Sequence, residues 1–474
     1  MNIRLKNIGI IKDSTIEING LTVITGKNNS GKTTVSKALY SLIDSVENIK
    51  QKSINDRYNY AVSQMEKACE CFPFHFSMKR GQDQIENTCI KIFFSGDYDD
   101  SVFPEKVDIY VSDLIHELEN FDITCEPYKS ILERFRRPPR LRKEITKENF
   151  ETYKEEAISI LSAAREQIMG DIELINYAKQ SINATLAVEF NGQIQPVALE
   201  NVSSLIEINN SNGEPCFKVD IENNEISEED DAVYWNSPYK KAYFIDNPFI
   251  IDEPAFLRRN KYTTNTLSFV NEARIITHDN KLKFMLNYSR PVSIFEEGVI
   301  DERYKLIKEK IDAILPGEFT ENNGERYYVK DKVKLNCTNL ATGSKMFSII
   351  KILLERGEID ENTLLILDEP ESHLHPEWQN LFVEIIVLLV KEIGCHVLLT
   401  THSSHFMLAV DAYMRKYNIT SLCNFYQTEQ IDNGPFVSYR CVNDSLNLIY
   451  EDFVTYLSDV KLLRNEYLED DVLE

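Results

Sequence analysis

The segment Gly26-Lys27-Asn28-Asn29-Ser30-Gly31-Lys32-Thr33 constrains this chain more than any other, as a full match to G-x-x-x-x-G-K-[ST]. The residues around it fix its setting. Ile3, Leu5 and Asn7 alternate, Ser14 to Ile18 alternates again, and Leu21 to Ile24 is a short apolar run between Gly20 and Gly26, so residues 3 to 24 read as strands. From Lys32 onward Val35, Ala38, Leu39, Leu42, Ile43 and Val46 recur at helical spacing and predict one buried stripe. Strand, glycine loop and helix in that order predict an α/β fold. The glycines let the loop curl so that backbone N–H groups converge, and the following helix N-terminus adds positive potential. Residues Gly26 to Gly31 and Thr34 are therefore expected around bound phosphates. Lys32 would neutralise the β- and γ-phosphates and Thr33 would hold Mg²⁺, making ATP and Mg²⁺ the expected cofactors.

Far downstream, Leu364-Leu365-Ile366-Leu367-Asp368-Glu369-Pro370 is an apolar strand ending in two carboxylates. Such a strand can set Asp368 at the Mg²⁺ and Glu369 beside an attacking water. A second apolar strand, His396 to Thr400, leads into Thr401-His402-Ser403. An imidazole at a strand end is often a hydrogen-bonded loop residue. Coming after the acidic pair, His402 can instead contact the γ-phosphate and signal its presence. His373 and His375 are one residue apart and would project differently from an extended segment, which argues against a zinc site there.

Elsewhere the pattern is less directive. Helical stretches run from about residue 47, the longest from about Glu148 to Ser181, and Leu186 to Asn224 alternates with turn signals at Asn191-Gly192 and Asn212-Gly213 that predict β-hairpins. Residues 47–240 are read as an insertion, with residues 1–46 and 241–474 as the two parts of the core. After residue 240, Ala242 to Ile245 predicts a strand, Met346 to Leu354 the apolar face of a helix following Gly343, and Pro376 the start of another helix.

The chain carries 76 acidic against 52 basic residues, a net charge of −24, which excludes non-specific coating of nucleic acid. One basic segment, 134–143, has six positive charges in ten residues, and reads either as a solvated loop or as a phosphate- or acidic-partner patch. No membrane-length apolar run and no signal-peptide pattern stands out, and the nine cysteines are an odd, scattered set. A reduced, cytoplasmic protein with no membrane partner is expected.

The order of these motifs resembles ABC-type ATPases, and within them the SMC/RecF/OLD branch. Asp368-Glu369-Pro370-Glu371-Ser372-His373-Leu374-His375-Pro376 is especially similar to stand-alone ATPases of prokaryotic anti-phage defence systems of the Septu or PARIS kind. The resemblance covers roughly residues 1–46 and 240–410. It implies an α/β ATPase head with a mixed or parallel central sheet, an N-terminal antiparallel β portion and a largely helical insertion. It also implies that Leu340-Ala341-Thr342-Gly343-Ser344-Lys345 is a signature loop that caps the γ-phosphate held by a second copy, so that ATP closes a homodimer or higher homo-oligomer. Ala341 stands where the family pattern has serine, with Thr342 or Ser344 as the candidate replacement contact. The implied role is ATP hydrolysis that controls a separately encoded effector such as a nuclease, since residues 403–474 contain neither an HNH-like histidine cluster nor a Toprim-like acidic arrangement. Two alternatives remain: a RecF- or SMC-like DNA-repair or chromosome-maintenance ATPase, and a transporter nucleotide-binding subunit, which the insertion and the Glu-Ser-His-Leu-His phrase disfavour.

Overall fold

The computed structural model describes residues 1–71, 103–120, 147–170, 173–197, 202–227, 237–253, 277–287, 294–322, 325–432, 434–451 and 461–462. The basic segment 134–143 and the acidic stretch 466–474 lie outside the described residues. The chain divides into two compact units, one built from Met1–Glu47, Ala178–Asn260 and Ile275–Glu474, the other from Asn48–Tyr177 and Lys261–Arg274.

The larger unit opens with β1 (Asn2–Ile8), β2 (Ile11–Glu17), β3 (Leu21–Thr25) and α1 (Lys32–Val46). The smaller unit contains α2 (Ile49–Glu70), α3 (Phe103–Glu119) and α4 (Lys147–Met169). In it Arg57 donates to the carbonyls of Ile168 (3.1 Å) and Gly170 (2.6 Å), and Arg165 pairs with Asp108. Helix α5 (Leu174–Glu189) leads back into the larger unit, so the single long helix expected over 148–181 is two helices broken at Gly170.

Then follow β4 (Ser204–Asn209), β5 (Pro215–Glu222), β6 (Glu225–Ile226) and β7 (Lys241–Ile245), with α6 (His278–Asn287) and α7 (Ile294–Ile314) behind them. A small antiparallel sheet of β8 (Glu318–Asn322), β9 (Glu325–Lys330) and β10 (Val333–Asn336) precedes α8 (Thr342–Glu355). The chain continues through β11 (Thr363–Asp368), α9 (Pro376–Leu388), β12 (His396–Thr401), α10 (Ser404–Lys416), β13 (Cys423–Gln430) and β14 (Val437–Cys441).

Among the described residues one sheet holds eleven strands in the order β6-β5-β4-β1-β2-β14-β13-β3-β12-β11-β7. The run from β13 to β7 is parallel, whereas β2, β1, β4, β5 and β6 pair antiparallel. Burial follows this division. Every residue of β3 is buried, as are all but one of β11 and of β12, the pattern of strands covered on both faces. Strand β4 alternates, as one covered face requires. The mixed α/β class anticipated from the sequence is the class observed. Residues 204–226, read as part of the insertion, are strands of this main sheet through β4 and β1.

Two local expectations are corrected. Asn191-Gly192 does not turn a hairpin. Both residues have positive φ and close α5, with the Gly192 N–H on the Ala187 carbonyl at 2.7 Å; Asn212-Gly213 does turn the β4–β5 hairpin. Helix α1 is buried nearly all round rather than along one stripe, with Ser36, Ser41, Asp44 and Ser45 covered as well. Its second side meets α6, where Lys281 donates to Asp44 (2.7 Å) and to Glu47. Burial opposes the charge on Lys281, but the two carboxylates outweigh it and raise its pKa. The hairpin β13–β14 lacks a clear strand pattern in the sequence, yet it pairs with both β3 and β2.

Candidate functional site

Strand order sets the site. β12 lies between β3 and β11, with Thr25 opposite Thr401 and Asp368 opposite Thr400. In parallel strands the carboxyl ends share one edge, so the segments leaving β3, β12 and β11 open side by side.

The loop leaving β3 is curled by left-handed backbone at Asn29 (φ 60°) and Gly31 (φ 79°), and Gly31 caps α1. Lys27, Asn28 and Asn29 are exposed at its tip, whereas Ser30 and Lys32 are buried. The Thr34 N–H donates to the Gly31 carbonyl at 3.0 Å. Strand β13 presses Thr428 against the loop so closely that a Cβ on Gly26 would lie 2.0 Å from its Oγ1. From β14 the Tyr439 hydroxyl donates to the Ser30 carbonyl at 3.3 Å. The loop therefore rests on the C-terminal hairpin. Lys32 folds into it, its Nζ donating to the carbonyls of Gly26 (3.0 Å) and Lys27 (2.9 Å) and lying 3.1 Å from Glu369 Oε1.

On the acidic side, Asp368 accepts hydrogen bonds from Thr33 Oγ1 (2.6 Å) and Thr400 Oγ1 (2.5 Å). Burial raises its pKa, the two threonine bonds work against that, and the negative charges of Glu369 and Asp246 add to the rise. Glu369 has φ 47° and ψ 49°, a left-handed conformation that costs a residue with a Cβ about 1 kcal/mol or more. Its N–H donates to Thr400, and the turn carries its carboxylate to Lys32 on one side and to His402 Nδ1 on the other, 3.1 Å from Oε2. Lys32, Thr33, Asp368, Glu369 and His402 thus form one connected constellation.

Two residues given no role from the sequence belong to it. Thr400 holds Asp368 and Glu369 together. Glu371 is buried and accepts from Thr401 Oγ1 (2.6 Å) and the His402 N–H (3.1 Å), which fixes where the histidine leaves β12. Burial raises the Glu371 pKa against those bonds. The available signal was the pair of threonines ending an otherwise apolar strand, since hydroxyls there need partners.

The residues fit Mg²⁺ and a polyphosphate. Thr33 Oγ1 and Asp368 Oδ2 are adjacent oxygen donors suited to a hard cation. Ser30 Oγ is buried within the loop without a hydrogen-bond partner.

The stretch 341–344 begins α8, with Ala341 at the N-cap position and no side-chain capping bond. Ala341 is exposed and Thr342 partly so, whereas Gly343 and Ser344 are buried. A Cβ on Gly343 would lie 2.9 Å from Trp378 and 3.3 Å from Leu374. Its smallness is therefore required by packing inside the chain, and of the two hydroxyls weighed as replacement contacts Thr342 is the accessible one. His373 packs edge-on against Phe249, while His375 Nδ1 accepts the Glu377 N–H at 3.4 Å at the start of α9, so the two are engaged separately.

Comparison with known proteins gives a family. The model described as AAA ATPase domain, AAA_15, matches residues 1–407. Over 138 residues the chain is 25% identical to the zinc import ATP-binding protein ZnuC of Wigglesworthia glossinidia brevipalpis, a match covering 28% of this chain and 58% of that protein. The chain thus spans less than two thirds of that relative's length. Among solved structures, the SMC head domain from Thermotoga maritima aligns over 93% of this chain and 98% of its own, at 10% identity and a TM-score of 0.34. The Smc head domain with a coiled coil and joint from Pyrococcus yayanosii aligns over 95% and 99%, at 13% identity and 0.33. With its family match covering the P-loop, the acidic pair and His402, the chain belongs to the AAA_15 family of AAA ATPase domains.

Proposed function

We propose that the chain is a Mg²⁺-dependent ATPase that hydrolyses ATP to ADP and phosphate. The observation that carries this is the convergence of Lys32, Thr33, Asp368, Glu369 and His402 at the ends of three adjacent parallel strands. Family membership and the relative named as ATP-binding support the same reading. Residues 26–34 cradle the phosphates, Lys32 balances their charge, and Thr33 with Asp368 holds Mg²⁺, which supplies charge neutralisation at the phosphates when bound. Glu369 accepts the proton of the attacking water, and His402 orients Glu369 and faces the γ-phosphate. Lys32 is paired with Glu369 here, so phosphate oxygens that draw Lys32 away release the carboxylate to act as a base. Lys32→Ala tests the assignment: ATP binding should fall below detection by calorimetry while the chain stays folded, and undiminished binding would remove the P-loop reading.

The finer proposal is an ATP-switched subunit of a prokaryotic anti-phage defence complex. ATP joins two copies through Ala341, Thr342 and the start of α8, and the pair controls a separately encoded effector, a nuclease by class. The phrase Asp368 to Pro376 supports this, as does the accessibility of Ala341 and Thr342. Co-purification with a nuclease encoded beside it is the expected outcome. ATP turnover stimulated by DNA in the absence of such a partner would favour the DNA-maintenance alternative instead.

A further inference from the structure

Beyond the nucleotide site, a second group of ligand atoms gathers where β7 ends and α6 begins. Asp246 follows β7, one strand over from the Asp368 turn, and His278 and Asp279 open α6. One ligand atom from each of the three lies within 4.8 Å of the other two. His278 is 8% exposed, and its ring is held by Phe244 at 4.3 Å between centroids and by the edge of Tyr40 at 6.0 Å. Glu189 at the end of α5 receives the ring through Nδ1 at 2.7 Å and also accepts the His278 backbone N–H at 2.8 Å. Nδ1 is thereby committed. Nε2, buried, makes no aligned hydrogen bond, yet it points into the cluster, 3.2 Å from Asp246 Oδ2 and 3.9 Å from Asp279 Oδ1.

An imidazole fixed by a carboxylate at one nitrogen, with the other aimed at two more carboxylates, is the arrangement by which proteins orient a metal-ligating histidine. Ligand atoms around a tetrahedral ion at about 2.0–2.1 Å lie roughly 3.3 Å apart; Nε2 is already at 3.2 Å from Asp246, and Asp279, at 3.9 Å, needs to close by about half an ångström. Three carboxylates facing one imidazole leave negative charge to be balanced. We propose that Asp246, His278 and Asp279 bind a divalent transition-metal ion, with Glu189 orienting the histidine. The nitrogen ligand favours Zn²⁺, or Co²⁺ in its place, over Mg²⁺. Asp246 is exposed, so the remaining coordination position opens to solvent. A proton on Nε2 balances the same carboxylates when no cation is present, so ion and proton compete for one nitrogen.

The test uses the full chain, stripped by chelator and free of nucleotide, in an Asp368→Asn background that removes the expected Mg²⁺ ligand. Titration with Co²⁺ followed by visible absorption should give one ion per chain, displaced by Zn²⁺. Affinity should drop at least tenfold in Asp279→Asn and His278→Gln, and about 10–100-fold in Glu189→Gln. Asp279 is only partly buried, so its variant decides the matter if His278→Gln fails to fold. Absence of stoichiometric Co²⁺ binding, or binding equal in Asp279→Asn and the parent, overturns the site. Because no nucleotide is present, either result leaves the ATPase reading to its own tests.

Discussion

At the scale of single residues, the site is held by contacts that leave little room. Gly26 is the sharpest case, since any side chain there enters Thr428 and Ser30. Gly26→Ala should destabilise the chain by about 1–3 kcal/mol and weaken ATP binding, read as a lowered melting temperature and a raised Kd. Adding Thr428→Ala should restore part of both, because the nearest clash is with the threonine Oγ1; no recovery in the double variant would place the fault elsewhere. Glu369 carries a different kind of constraint. Its left-handed backbone aims the carboxylate between Lys32 and His402, a direction that residue type and spacing do not encode. The sequence names Gly26, Lys32, Thr33, Asp368, Glu369 and His402 because strand, loop and acid pair each carry a local pattern. It is silent on Thr428, Tyr439, Thr400 and Glu371, whose place depends on which strands become neighbours across several hundred residues.

At the scale of elements, the parallel strands were legible because strands buried on both faces are continuous apolar runs, as Leu364 to Leu367 and Val397 to Leu399 are. The β13–β14 hairpin was not, because its pattern, Cys423-Asn424-Phe425-Tyr426-Gln427, mixes polar residues into a strand buried only in its first half. Helix packing supplies a pH-dependent tie of its own. Glu384 of α9 lies 3.0 Å from Lys310 of α7 and accepts from Lys416 (2.7 Å) and Tyr417 (2.6 Å) at the end of α10. Burial disfavours its charge, but the bonds from Lys416, Tyr417 and Lys310 outweigh it and hold its pKa down from 4.5 to about 2. A carboxyl depressed on folding contributes stability that is whole above the unfolded value and lost as pH falls through the folded one. The melting temperature should therefore decline between pH 4.5 and 2, and Glu384→Gln should flatten that decline while lowering stability near neutrality. An unchanged slope in the variant would mean that other carboxylates dominate acid unfolding.

At the scale of the whole molecule, the proposed ATP-driven pairing brings in a second copy. Gly343 is a poor place to probe it, because a larger residue there meets Trp378 of its own chain. Ala341 is better. It is exposed at the N-cap of α8, where aspartate favours the helix yet sets a negative charge where a partner's phosphate would approach. Ala341→Asp should keep ATP binding by the isolated chain, and should lose ATP-dependent dimerisation in light scattering and most turnover. Dimerisation as in the parent would remove the composite-site model. For the site itself, Glu369→Gln separates ATP binding from single-turnover hydrolysis when both are measured in the same preparation. Binding should stay within a few-fold of the parent and hydrolysis should slow by about 10²-fold or more, with the closed, ATP-bound form accumulating. Hydrolysis at the parental rate would contradict the Glu369 assignment, since some residue other than Glu369 would then be taking the proton from water.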